Sequence, residues 1–188
     1  LNSPDWKATT RVAFRFVFIY VLLYAAATQV LGGLLIFPGT SLPALGTRWP
    51  MRNITEWLAE RVLRVDAALV SGNSGDTAFY WAQTLWLLIL AAVVAAFWTE
   101  IDRRRAYATL HGWLRLFVRF AVAGQLFYYG MAKVIPTQFP APSLVTLVEP
   151  VGNLSLADML WTFVGASTPY QMFAGVAEVA AGVLLVVP

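Results

Sequence analysis

Three charged side chains stand where apolar helices make charge costly. Arg119 and Lys133 lie within or at the end of the apolar stretch 110–135, and Glu178 lies about eight residues into the run 170–187. A charge carried into hydrocarbon must be paired, neutralised or turned towards water. Arg119, Leu126 and Lys133 recur at intervals of seven, so they share one helical stripe. Glu178 falls between the two cations in expected depth, where a long basic side chain could reach it from either direction. Gln125 and Tyr129 add hydrogen-bonding groups nearby, as do Gln29 and Tyr128. The set Arg119, Gln125, Tyr129, Lys133 and Glu178 can therefore serve one of two chemistries. It can lock helices together through an ion pair and interhelical hydrogen bonds. Alternatively it can receive a ligand, with the cations stabilising an anion and the carboxylate exchanging a proton.

Composition narrows the setting. The 188 residues are 59% hydrophobic and 12% charged, about half the charge of an ordinary soluble domain (~25%). That balance, with a mean hydropathy of +0.66, points to a lipid bilayer. There is no cysteine, which removes disulfides, thiol chemistry and iron–sulfur ligation by this chain. The single histidine, His111, reads as an interfacial residue and cannot build a multi-histidine metal site, so no metal is expected. The net charge of +3 is dispersed and forms no dense basic patch, so no nucleic-acid partner is expected. The chain opens at Leu1 without a methionine and stops at Pro188 within an apolar run, which reads as a portion of a longer protein. Its first ten residues lack the apolar core of a signal peptide.

The elements that would position these groups are helices. The pattern predicts an all-α, polytopic transmembrane bundle, a single unit over 1–188, with four spans at about 12–37, 79–98, 110–135 and 170–187. Pro38-Gly39 would stop the first span. Arg15, near its start, either snorkels to the interface, which is the first expectation, or pairs inward. Asn53-Ile-Thr-Glu56 reads as a capping box opening a short amphipathic helix, with Ile54, Trp57, Leu58, Val62, Val65 and Leu69 on its apolar face and Glu60–Arg64 paired on its polar side. Ser71–Gly75 reads as a flexible loop, after which Asp76 or Thr77 would cap the second span. Residues 137–150, with three prolines, read as an extended loop. Leu156, Met159, Leu160 and Phe163 form a second short apolar face with Ser155 as its cap. Gly124, Gly130, Gly175 and Gly182 would let the last two spans approach closely. Lys7, Arg11 and Arg103–Arg105 lie on one side of the spans, whereas 137–169 carries no Lys or Arg, and the positive-inside rule places the N-terminus in the cytoplasm. Asn53-Ile-Thr and Asn153-Leu-Ser match the glycosylation pattern, a weak signal that requires a secretory setting.

The run Arg119-Phe…Tyr129-Gly130-Met-Ala-Lys133…Phe173-Ala-Gly175-Val-Ala-Glu178-Val-Ala-Ala-Gly182 resembles the DoxX-type membrane proteins of bacteria and archaea. The shared pattern is a basic residue early in one span, G-x-x-K at its end and E-x-x-x-G in the next. The resemblance covers a core of 115–188. The loop between the two spans is longer here, and the first 110 residues resemble the extended N-terminal part of larger relatives. One archaeal class in that family is a subunit of a thiosulfate:quinone oxidoreductase, and bacterial relatives are linked with membrane redox and thiol-stress systems. The resemblance therefore implies a multi-pass protein of the bacterial inner membrane, a subunit of a quinone-linked redox complex with partner membrane or redox subunits; its own cofactor stays open, with quinone the candidate. Electrons would come from such a subunit or a bound flavin. The rival expectations are a non-catalytic accessory or scaffold subunit of a larger membrane complex and, last, a small transporter. Whether the protein is an enzyme stays open at this point.

Overall fold

The computed structural model describes residues 5–34, 44–69 and 77–187, and every regular element among them is helical, with no strand. The chain divides into two compact units, Leu1–Phe117 and Val118–Pro188.

In the first unit, helix α1 (Ala8–Ala27) is followed by the short α2 (Val30–Leu34), a 3-10 turn at Leu45–Thr47, and α3 (Met51–Leu58), which continues into a π turn at Ala59–Leu63. Helix α4 (Ala78–Ile101) then runs along α1. Half of the buried positions on α1 and α4 are alanines, Ala25, Ala27, Ala82, Ala91 and Ala95, and small side chains let two helix backbones approach. The first helix is shorter than its apolar run suggests. Thr28 adopts an extended conformation, and both its N–H and its hydroxyl bond back to the Tyr24 carbonyl, at 3.0 and 2.7 Å. A threonine bonded back in this way competes with helix propagation, so the expected span 12–37 breaks at this point. The expected stop at Pro38-Gly39 lies outside the described residues.

Helix α3 corrects the expected capping box. It begins at Met51 after Pro50, a residue well suited to a helix start, and this places Asn53 inside the helix. Glu56 accepts instead from Arg52 Nε at 2.8 Å. Glu60 and Arg64 do not pair, because Arg64 turns left-handed (φ 55°) and ends the π turn there. The first unit anchors α3 and its approach to α4 through polar groups. Thr55 Oγ1 accepts from Trp86 Nε1 at 2.9 Å, and Gln83 Nε2 donates to the Gly46 carbonyl at 2.9 Å. A Cβ at Gly46 would overlap the Gln83 amide. Ile54, Trp57, Val62 and Val65, four of the six residues of the expected apolar face, are exposed. Thr77 occupies the cap position of α4 without a side-chain bond, while Ser71–Gly75 and Asp76 lie outside the described residues.

Helix α5 (Ala108–Val134) starts in the first unit and supplies its later turns to the second. The second unit continues with α6 (Leu144–Val148), α7 (Leu156–Gly165) and α8 (Thr168–Val186). Helix α6 is one helical turn inside the expected extended loop, started by Ser143 accepting from the Thr146 N–H at 3.1 Å. Ser155 caps α7 in a reciprocal box with Asp158, as its sequence position suggests. The proline-rich loop folds back onto these helices. Phe139 stacks on Trp161 at 5.0 Å, and Gln171 Nε2 donates to the Phe139 carbonyl at 2.8 Å.

Among the described residues three helices, α1, α4 and α8, are long and apolar enough to cross a membrane, the pattern of a membrane protein. Helix α5 is longer than any of them at 27 residues. It falls outside this group because Arg115, Arg119, Gln125 and Lys133 interrupt its apolar character.

Candidate functional site

In the second unit, α5 and α8 meet at glycines. A Cβ on Gly175 would lie 2.6 Å from the Gly130 carbonyl oxygen and 2.7 Å from the Val134 nitrogen, so the two backbones touch. Three residues beyond each of these glycines come Lys133 and Glu178. The close approach brings the lysine Nζ to 2.8 and 3.0 Å from the two carboxylate oxygens, a two-pronged ion pair. The lysine side chain is 13% exposed and the glutamate 32%, so the pair is partly screened from its surroundings. Tyr129, one turn before Lys133, places its ring centroid 5.6 Å from Nζ, within cation–π range. It also meets Tyr128 edge-on at 5.3 Å.

The other two predicted site residues stand apart from this pair. Gln125 is half-buried and forms no hydrogen bond with Lys133 or Glu178. Arg119 lies fourteen residues before Lys133, about 21 Å along an ideal helix. Its guanidinium turns to the end of α8, where Nε donates to the Leu185 carbonyl and Nη2 to those of Val186 and Val187 at 3.3 and 3.4 Å. The last carbonyls of a helix lack intrahelical donors and carry partial negative charge, so Arg119 serves as a cap for α8. The five predicted residues thus resolve into a core of Tyr129, Lys133 and Glu178, a capping Arg119, and Gln125 outside both.

The first unit contains a second charged site. Arg15 is 2% exposed. Its Nε donates to the Tyr107 hydroxyl at 2.8 Å and its Nη2 to the Asp102 carbonyl at 2.7 Å. The Tyr107 hydroxyl in turn donates to Asp102 Oδ2 at 3.1 Å, and Trp98 Nε1 donates to the same oxygen at 3.0 Å. Arg15 therefore pairs inward and does not snorkel. Its counter-charge reaches it through one neutral hydroxyl. The indole N–H of Trp98 holds the Asp102 carboxyl below its ordinary range, aided by the Arg104 backbone N–H, the Tyr107 hydroxyl and the Arg104 charge, with burial opposing them. Around this network Trp6, Phe14, Tyr107 and His111 form an aromatic cluster, in which Phe14 stacks on Tyr107 at 5.2 Å. His111 thus lies among rings.

The chain matches no family model and no solved structure. It is similar to the uncharacterized protein YwoB of Bacillus subtilis (strain 168), at 33% identity over 86 residues. The matched stretch is 46% of this chain, and the chain spans about half (51%) of that relative's length.

Sequence reasoning placed the Glu178 carboxylate within reach of a basic partner without choosing between Arg119 and Lys133. The Gly130–Gly175 contact makes that choice. Tyr107, Asp102 and Trp98 were not anticipated as partners of Arg15. Their cue is weak: an arginine four residues inside an apolar run requires a partner, but nothing local names one 92 residues away.

Proposed function

We propose that this chain is an accessory subunit of a bacterial inner-membrane complex, of DoxX type, in which the charged α5–α8 pair is structural. The observation that supports it is that Lys133, Glu178 and Arg119 all have partners within their own unit. Charges satisfied in this way fix helix register and leave lipid-facing and loop surfaces for partners. On this reading α5 is a fourth span. Its 27 residues would extend about 40 Å against a ~30 Å hydrocarbon core. Lys7, Arg11 and Arg103–Arg105 then face the cytoplasm along with the N-terminus. The exposed apolar residues of α3 with its π turn and of α7, among them Trp57, Val62, Leu156 and Phe163, would lie in the interface or against partner subunits. Purification in mild detergent tests the assignment. A defined complex should come down with the chain, and a stable monomer free of partners would reject it.

A second reading keeps the pair as a quinone headgroup site, and one observation favours it: Glu178 stays partly exposed while paired with Lys133, whose ammonium also meets the Tyr129 ring. There the lysine would stabilise a reduced quinone anion and the glutamate would exchange its proton. Electrons would come from a partner subunit or a bound flavin. Quinone reduction by the purified protein should then fall in Glu178→Gln, and equal turnover removes Glu178 from such a mechanism.

A further inference from the structure

A cavity of ≈ 390 Å³ lies where the start of α1 meets the end of α4, bordered by Ala8, Arg11, Arg15, Glu100, Asp102 and Arg103. Its acids and bases do not cancel locally, because the acidic groups have other claims on them. Asp102 Oδ2 is taken by Trp98 and Tyr107 and Oδ1 by the Arg104 N–H. Glu100 is exposed and free to turn to solvent. Arg15 is almost fully buried beside the cavity, with its Nε and Nη2 bonded to the Tyr107 hydroxyl and the Asp102 carbonyl. Arg11 is less fully used. Arg11 gives Nη1 to the Arg104 carbonyl at 3.3 Å, and its buried Nε has no partner. A dry guanidinium N–H without an acceptor is unfavourable, and an anion in the cavity would supply one. The first turn of α1 adds backbone amides, since Lys7 makes no side-chain cap bond. Both helices are long enough to cross a membrane, which sets their ends at headgroup depth.

We propose that this cavity binds a phosphate-class anion, held by Arg11, Arg15 and Arg103 with the first-turn amides of α1. Two sources share that chemistry, the headgroup of an anionic phospholipid and soluble phosphate. Forked guanidinium donors and a helix start both match tetrahedral oxyanions. The site is independent of the Lys133–Glu178 pair and of either role proposed for it.

Native mass spectrometry on the full chain, released from nanodiscs of mixed phosphatidylglycerol and phosphatidylcholine, tests the proposal. The wild type should retain phosphatidylglycerol about tenfold over phosphatidylcholine, and Arg11→Gln should abolish most of that preference. Arg105→Gln should leave it intact, because Arg105 is an equally charged neighbour that pairs with Asp5 outside the cavity. Arg103→Gln, at an exposed position, provides a second reading if Arg11→Gln does not fold. In a parallel arm, inorganic phosphate should raise the unfolding midpoint in detergent. A phosphate effect lost in Arg11→Gln, without any lipid preference, supports the site and assigns it to a soluble ligand. No preference and no phosphate effect would overturn the proposal, as would equal losses in Arg11→Gln and Arg105→Gln.

Discussion

Arg15 and Lys133 are both cations held inside helical units, and the chain satisfies them in opposite ways. Lys133 meets its carboxylate directly. Arg15 meets a hydroxyl and a carbonyl, with the Asp102 charge one hydrogen bond further on. The direct pair fastens one helix to one other. The relayed arrangement is less direct electrostatically but connects more of the chain. Through Asp102 it ties α1 to the end of α4, to the turn carrying Arg104 and to Tyr107 at the start of α5. Buried charge in the first unit thus organises a junction, and in the second a contact.

The sharpest way to break that contrast is Tyr107→Phe. It leaves a buried guanidinium N–H without its acceptor and Asp102 without one donor, and should cost about 3 kcal/mol, at the upper end for a hydrogen bond to a charged group. Denaturation in detergent measures it, and a loss below about 1 kcal/mol would mean that the relay contributes little. Lys133→Met should cost about 2 kcal/mol, less than a fully buried pair because Glu178 is partly exposed. The double variant Lys133→Met/Glu178→Met should return to within about 1 kcal/mol of wild type. If the double variant stays well over ~1 kcal/mol below wild type, the pair is a net stabiliser and the contrast narrows.

Acid should separate the two regions further. The folded-state pKa of Asp102 is depressed, so its contribution is fully present above the unfolded value of 3.8 and disappears as pH falls through the lower folded value. Unfolding midpoints followed below pH 4 should show this loss in wild type and a smaller one in Tyr107→Phe. Identical profiles would detach the hydroxyl from the titration. The smallest effects concern helix glycines. Gly112→Ala in α5 has open space and should stabilise by about 0.7 kcal/mol through helix propensity. Gly182→Ala meets the Phe127 ring at 3.2 Å and should lie within about 1 kcal/mol of neutral, since the ring can turn. A larger loss at Gly182 would show that the α5–α8 contact is tight along its length and not only at Gly130–Gly175.

Helix identity was legible wherever one kind of residue dominated a long stretch. Helices α4 and α8 follow their apolar runs closely, and Ser155 with Asp158 announces the start of α7. Boundaries set by a single residue were harder. Thr28 ends α1 through a bond to its own preceding turn, and Pro50 starts α3 ahead of a plausible but unused Asn53–Glu56 signal. Of the site, the residue types and the reach of Glu178 were readable from helical spacing. The choice of Lys133 over Arg119 was not, because it depends on which glycines touch. The Arg15 network was beyond reach for the same reason, its members being joined only by the packing of α1 and α4.

The 92 residues between Arg15 and Tyr107 are also an interval of time. At about 5–20 residues per second, α1 is made roughly 5–20 s before the hydroxyl that accepts from its arginine. During that interval a cation destined for the interior has no relay and no carboxylate, so the nascent first helix must keep that end among headgroups or in the insertion machinery. Only when Asp102 and then Tyr107 are made can the arginine withdraw. The first unit is therefore committed only near the end of its own stretch of chain, by a tyrosine.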